Sequence, residues 1–295
     1  MQMQSVITRL NGGLGNQLFQ YAAGRALAKR LDAPLKVDIS EFDTYLLRRF
    51  ELDQFNINAT IATSEEVSNF VINPSRFQRY YSRLAISSGV SFNKIAFKEN
   101  KFGYDDTFEK IRYPMYLNGY WQSEKYFKSA RDKLRSELCL ANQLGETSQK
   151  ILDEILRCPA VSLHIRRGDY ITNPSAAVIH GVCSLDYYYL AIRHIITQVQ
   201  NPYFFVFSDD PQWAKDNLKI SYPVQFVEAN GPERGVEDMW LMKSCKHHII
   251  ANSSFSWWAA WLNDRQDKIV IAPRTWFLDK KINDKDLVPE QWHKI

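Results

Sequence analysis

Cysteine is scarce in this chain, with four in 295 residues. Cys139, Cys158, Cys183 and Cys245 are scattered, with no CxxC pair and no histidine at metal-ligand spacing. That excludes a disulfide scaffold and a structural zinc site, and it fits reduced thiols in a cytoplasmic protein. Long apolar runs are missing too. The opening MQMQSVITRL holds no leader-like stretch, so no secretory signal is expected. No segment approaches the roughly 18 apolar residues of a membrane span, and the richest, Phe255–Leu262, is far too short. Neither sign of charge dominates: acids and bases interleave to a net +4. A nucleic-acid partner is therefore not expected. The small basic excess suits an anionic small ligand or a peripheral contact at the inner face of a membrane.

What is present is core-forming material. The chain is 45% hydrophobic and 24% charged, enough apolar residue for two medium domains of ordinary solubility. Eight Trp and fifteen Tyr are mostly core by expectation, although sugar clefts also use aromatic faces. A β run at Ser5–Leu10, the loop NGGLGN, a helical pattern from Gln17 to Leu31 and a β run at Leu35–Asp38 make a βαβ opening, hence a parallel sheet. Residues 40–115 are aromatic, charged and poorly periodic. Beyond them a strand is predicted at Tyr116–Tyr120 and helices at Glu124–Leu138 and Ser148–Leu156. Pro159 marks the expected boundary between domains 1–158 and 159–295. The second half alternates strand and helix: Ala160–Ile165, Leu185–Val199, Tyr203–Phe207, Pro211–Leu218, Val224–Val227, Val236–Lys243, His248–Ala251, Phe255–Leu262 and Ile269–Ile271. That is a doubly wound α/β pattern, whose ligands sit beyond the carboxyl ends of the strands.

Three segments concentrate polar groups at such ends. In VSLHIRRGDY, residues 161–170, strand alternation sends His164 and Arg166 to one face and Arg167 to the other. A fixed guanidinium grips a diphosphate in two-pronged fashion. Gly168 permits a tight turn or a close approach, and Asp169 can anchor Arg167, the bland alternative being an Arg167–Asp169 ion pair. In the second segment, Asn252, Ser253 and Ser254 open the helix that carries Ser256. Free N–H groups there form an anion site, against the simpler reading of an N-cap. The third is NGGLGN, whose glycines let the backbone and Asn16 approach a ligand, or simply make a tight turn. It has neither the P-loop nor the dinucleotide GxGxxG spacing, which excludes a Rossmann oxidoreductase.

Together these segments resemble a known family. HIRRGD at 164–169 is similar to the HxRRxD motif of α-1,2-, α-1,6- and protein O-fucosyltransferases. GGLGNQLFQYAAGRALA, SLDYYYLAI, FVFSDD and IIANSSFSWWAAWL, in that order, resemble the α-1,2-fucosyltransferases of glycosyltransferase family 11. The likeness runs over nearly the whole chain and is weakest at 40–115. Animal members carry a membrane anchor and stalk, so this chain resembles the bacterial enzymes of surface-polysaccharide and O-antigen synthesis.

The resemblance implies a two-domain, GT-B-like α/β fold with a Rossmann-like C-terminal donor domain. It implies inverting transfer of L-fucose from GDP-β-L-fucose to the 2-hydroxyl of galactose, in a galactose-terminated oligosaccharide or lipid-linked glycan. No cofactor and no metal are expected, GDP-fucose being the donor substrate. Arg166 matches the arginine that neutralises the β-phosphate, and His164 a residue holding the nucleotide. Asp238 matches the carboxylate that accepts from guanine N1 and N2. Ser253, Ser254 and Ser256 fall in the phosphate segment, and Asn16 lies near the fucose and the acceptor hydroxyl. The base that takes the hydroxyl proton is left between Asp169 and His180. Rival readings are a fucosyltransferase of other acceptor or linkage and a non-catalytic GDP-sugar or glycan-binding protein; intact Asn16, His164, Arg166 and Asp238 favour catalysis.

Overall fold

The computed structural model describes residues 4–44, 48–88, 95–228, 230–231 and 234–295. The chain forms two compact units. The first comprises Met1–Ala141 with Asn283–Pro289, and the second Asn142–Ile282 with Glu290–Ile295. The division therefore falls earlier than residue 158, and seven residues near the C-terminus return to the first unit.

The first unit is built on β1 (Val6–Arg9), α1 (Leu14–Leu31), β2 (Leu35–Asp38), β3 (Thr60–Ile61), α2 (Ser64–Ser68), α3 (Arg76–Ser87), β4 (Phe97–Lys98), β5 (Tyr116–Asn118) and α4 (Arg131–Glu137). Its sheet runs β3-β2-β1-β5-β4, every pairing parallel. Small residues bring α1 close over the sheet. A Cβ on Gly24 would sit 2.9 Å from Thr8 Cγ2 and 3.0 Å from Leu35 Cδ1, so no other residue fits without a shift. Helix α1 begins a turn earlier than Gln17, because Gly13 adopts extended geometry and its carbonyl accepts the N–H groups of Asn16 and Gln17. Asn16 is thus a first-turn helical residue rather than a loop residue.

The predicted helix at 124–138 breaks into two 3-10 turns, Glu124–Tyr126 and Lys128–Ala130, followed by α4. Ser123 caps the first turn, and Phe127 leaves helical geometry at φ −133° while its ring is buried. Strand β5 stops at Asn118, short of the predicted Tyr120. Glu99 Oε2 accepts the Tyr120 N–H at 2.7 Å, and Trp121 turns into the left-handed region at φ 56°.

The second unit contains α5 (Glu146–Leu156), β6 (Ala160–Ile165), α6 (Gly168–Thr172), α7 (Pro174–His180), α8 (Leu185–Ile196), β7 (Tyr203–Ser208), α9 (Pro211–Asn217), β8 (Val224–Phe226), α10 (Gly235–Ser244), β9 (His247–Ile249), α11 (Ser254–Leu262), β10 (Val270–Ala272) and β11 (His293–Lys294). Its parallel sheet runs β11-β10-β9-β6-β7-β8. Strand β6 sits at its centre with all six residues buried, as expected of a strand covered on both faces. Helix α5 packs against α10, and the Gly145 N–H just before it bonds Glu237 of α10 at 3.3 Å. That is why this helix, placed by sequence in the first domain, belongs to the second.

Helix α11 anchors the core. Trp257, Trp258 and Trp261 are all buried, with Trp257 and Trp261 stacked at 6.1 Å and Trp292 packed at 5.5 Å. His248 is a core residue here: Ser162 Oγ lies 2.8 Å from its Nδ1 and Asn263 Nδ2 2.8 Å from its Nε2. Among the described residues no helix is long and apolar enough to cross a membrane.

Candidate active site

The second unit gathers its polar groups where β6 and β7 end. Parallel register sets His164 against Phe207 and Ile165 against Ser208, so Arg166 and Asp209 emerge side by side. Arg166 Nη1 lies 3.0 Å from Asp209 Oδ2, and the backbone N–H of Arg167 donates to Asp209 Oδ1 at 2.8 Å. Both oxygens of one carboxylate are engaged by the strand opposite. Gly168 makes this possible, since a Cβ there would stand 2.6 Å from Asp209 Oδ2.

Arg167 turns elsewhere. Its Nε lies 3.5 Å from Asp210 Oδ2, and its guanidinium covers the Trp213 ring at 3.6 Å. Asp210 also caps α9 by accepting the Trp213 N–H at 3.1 Å. The sequence offered Asp169 as the partner of Arg167; the Asp169 side chain lies outside the described residues, and the observed partner is Asp210.

Three further contacts tie this edge to α11. The Arg166 guanidinium lies 5.5 Å over the Tyr170 ring, and Tyr170 Oη donates to the Asn252 carbonyl at 3.1 Å. Tyr170 stacks on His180 with ring centres 4.8 Å apart. His164 stands 5.8 Å from Phe255 in the first turn of α11. Burial pushes the His164 imidazolium down to about 4, opposed by Asp209 and reinforced by Arg166. The ring is therefore neutral near pH 7, and among the described residues its buried Nδ1 has no hydrogen-bond partner. A buried polar atom without a partner is costly unless a ligand supplies one.

Ser253 is the N-cap residue of α11, and its side chain makes no capping bond. Asn252 acts as a staple instead, its amide donating to the carbonyls of His180, Gly181 and Trp276 at 2.9, 3.2 and 3.2 Å. The Ser256 hydroxyl turns back to the Ser253 carbonyl at 3.4 Å. A helix N-terminus of this kind favours an anion through its aligned N–H groups.

Asp238 stands on α10, which packs against α11. Its Oδ1 accepts from Asn230 Nδ2 at 2.6 Å, and Ser148 Oγ lies 3.3 Å from the Asn230 Oδ1. Burial raises the Asp238 carboxyl to about 6, offset in part by the Asn230 hydrogen bonds. In the first unit, Asn16 Oδ1 accepts from Gln122 Nε2 at 2.8 Å. Gly12 beside it takes φ +72°, and a Cβ there would meet Asn16 Nδ2 at 2.8 Å.

Sequence reasoning had missed Asp209 as the partner of Arg166, Tyr170 as the link to α11, and Asn230 as the group holding Asp238. The signal for Asp209 was present in FVFSDD, whose acidic pair follows β7, and in the fold each of those aspartates holds an arginine. Among the described residues, no three His, Cys, Asp or Glu side chains gather as a metal-binding group.

An arginine, a buried neutral imidazole and a helix N-terminus at the carboxyl edge of a parallel sheet are groups that can hold an anion. Residues 2–295 match the sequence profile of Glycosyl transferase family 11, and the chain belongs to that family. Two Escherichia coli relatives match nearly end to end. An alpha-1,2-colitosyltransferase is 39% identical over 99% of this chain and 99% of its own length. The O-antigen biosynthesis glycosyltransferase WbnK is 38% identical over 96% and 98%. Among solved structures, the fucosyltransferase NodZ from Bradyrhizobium superposes with a TM-score of 0.53 at 15% identity, over 88% of this chain and 92% of that one. Arabidopsis thaliana FUT1 in complex with GDP gives 0.55 at 11% identity, over 98% and 75%. The fold is thus the two-unit, GT-B-type α/β fold of glycosyltransferases.

Proposed function

We propose that this glycosyltransferase transfers L-fucose from GDP-β-L-fucose to the 2-hydroxyl of a galactose residue, inverting the anomeric centre without a metal ion. The observation that carries the reading is the link of Arg166 to the N-terminus of α11 through Tyr170 and Asn252. In the reaction the galactose O2 bonds to fucose C1 as the C1–O bond to the diphosphate breaks, and GDP leaves with the bonding electrons. Arg166 and the first-turn N–H groups of α11, beside Ser253, Ser254 and Ser256, meet the charge that grows on the β-phosphate. His164, neutral and buried, offers its free Nδ1 to the nucleotide. Asp238 accepts the guanine N1–H and amine hydrogens, exchanging its bond to Asn230 for them.

The resemblance to the fucosyltransferases assigns Asn16, in the first unit, a role toward the transferred sugar and the acceptor hydroxyl. Asp169 is the candidate for the hydroxyl proton. Metal independence is supported by the occupation of Asp209 and Asp210 with Arg166 and Arg167.

A second reading keeps the 1,2 linkage and exchanges fucose for colitose, its 3-deoxy counterpart, and the name of the E. coli relative favours it. One experiment separates the readings: incubation with GDP-fucose or the GDP ester of colitose, a panel of β-galactosides, and linkage analysis of the products. Fucosyl-α-1,2-galactose from the first donor supports the fucosyl reading, and product from the second donor alone replaces it.

A further inference from the structure

Glu99 follows β4 in the stretch where sequence periodicity was poorest. Its backbone N–H bonds the Asn118 carbonyl at 2.9 Å, continuing the pairing of β4 with β5. Its side chain then closes over the turn that follows β5. Glu99 Oε2 accepts the Tyr120 N–H at 2.7 Å and the Trp121 N–H at 3.4 Å. Gly119 lets the side chain come so near, since a Cβ there would stand 2.5 Å from Glu99 Cβ and 2.9 Å from Oε2. Trp121 sits in the left-handed region at φ 56°, a conformation that tryptophan keeps only where its surroundings impose it. Those surroundings are the Glu99 carboxyl on the backbone side and a buried aromatic cluster on the ring side. The indole stacks on Phe97 at 5.8 Å and meets Tyr126 edge-on at 5.3 Å.

The second carboxyl oxygen is the anomaly. Glu99 Oε1 is buried and has no hydrogen-bond partner among the described residues. Burial raises the carboxyl to about 7, against the pull of the two backbone N–H groups, and Asp105 adds to the rise. A buried acid with one oxygen idle costs stability, so packing alone gives no reason for an acid at this position.

The turn that Glu99 holds leads directly to Gln122, whose Nε2 donates to Asn16 Oδ1 at 2.8 Å. That bond sets the rotation of the Asn16 amide. Oδ1 lies toward Gln122, and Nδ2 lies 2.8 Å from where a Cβ on Gly12 would stand. Ser123 secures the far side of the turn, its N–H on the Trp121 carbonyl and its hydroxyl on the Asp286 carbonyl, each at 2.7 Å. Every link from Glu99 through Gln122 to Asn16 lies within the first unit.

We infer that Glu99 is a positioning residue for the transfer, its carboxyl holding turn 119–122 so that Gln122 keeps the Asn16 amide in one orientation. The inference rests on the role proposed for Asn16 and holds for either sugar.

Steady-state kinetics with the parent's donor and lactose, on folded variants, tests it. Glu99→Ala leaves two N–H groups without their acceptor. It should lower kcat by roughly tenfold or more and leave KM for the donor within about twofold of the parent. Glu99→Gln keeps an oxygen for both N–H groups and should recover most of the loss. Should Glu99→Ala not fold, Glu99→Asp takes its place: it withdraws the acid by one methylene and should be slower than Glu99→Gln. Gln122→Ala breaks the last link while leaving the Glu99 bonds intact, and it too should slow turnover. The double variant should be no slower than the slower single one, because the two residues act in series, whereas independent structural lesions would multiply. Asn16→Ala separates the two levels of the argument. Normal turnover in Asn16→Ala removes the role of Asn16, and the inference falls with it. A slow Asn16→Ala beside parent-like Glu99→Ala or Gln122→Ala, or single losses that multiply in the double variant, overturns the inference alone.

Discussion

Arg166 is the residue whose loss should be most costly to turnover. In the ligand-free protein its guanidinium pairs with Asp209 at 3.0 Å, with the two side chains only 22% and 24% exposed. At that distance and an effective dielectric of 20, two unit charges attract by roughly 5 kcal/mol before desolvation is counted. The same arithmetic applies to a departing β-phosphate that meets Arg166, and its charge grows as the fucosyl bond breaks. The contact is therefore worth more in the transition state than in the ground state. Losing one partner of a desolvated charge pair costs about 2–5 kcal/mol. At about 1.4 kcal/mol per decade, Arg166→Ala should lower kcat by tens to thousands of fold. Arg166→Lys keeps the charge but loses the planar fork and should recover only part of the rate.

Asp209 enters the same experiment through its pairing with Arg166. If it holds Arg166 in place, Asp209→Asn should lower kcat less than Arg166→Ala, and the double variant should be no slower than Arg166→Ala alone. Steady-state kinetics with GDP-fucose and lactose on folded variants reads all three effects. A folded Arg166→Ala enzyme with near-normal kcat would refute the reasoning and leave HIRRGD as a structural segment.

The remaining expectations concern neighbouring groups. Asp238, raised to about 6 in the fold against an ordinary 3.8, binds its proton more tightly folded than unfolded. Its contribution to stability is thus present below pH 4 and lost as pH rises through 6, a difference of about 3 kcal/mol. Asp238→Asn should therefore raise the thermal midpoint of the ligand-free protein at pH 7.5 while weakening GDP binding, as scanning and titration calorimetry would read. Only the ionised carboxyl accepts from guanine, so the parent's GDP affinity should fall below pH 6, and the asparagine variant should lack that dependence. Gly168→Ala should push Asp209 off Arg166, costing about 1–3 kcal/mol through overpacking and reducing kcat more than stability; equal activity would show that the close approach is dispensable. Excess EDTA should leave turnover intact, and complete loss restored by manganese or magnesium would assign a metal role after all.

Much of this protein was legible in its sequence. The βαβ opening and the alternating second half reported parallel sheets because strands buried on both faces are predominantly apolar, as in FFVF of β7. HIRRGD and NSSFS stood out in the sequence because they place several polar groups at the carboxyl ends of such strands. Other features are not periodic and were decided by tertiary contact. Asp209 meets Arg166 only because β6 and β7 pair in one register, and Gly168 owes its identity to a carboxylate 41 positions away rather than to its own turn. Helix 146–156 joins the second unit through its packing on α10, whatever Pro159 suggests. The stop of β5 at Asn118 is set by a Glu99 hydrogen bond that crosses between neighbouring strands. Sequence patterning records which face of an element is buried, because burial follows local periodicity. Which side chains then meet depends on register and packing across the chain, and those follow only from the folded arrangement.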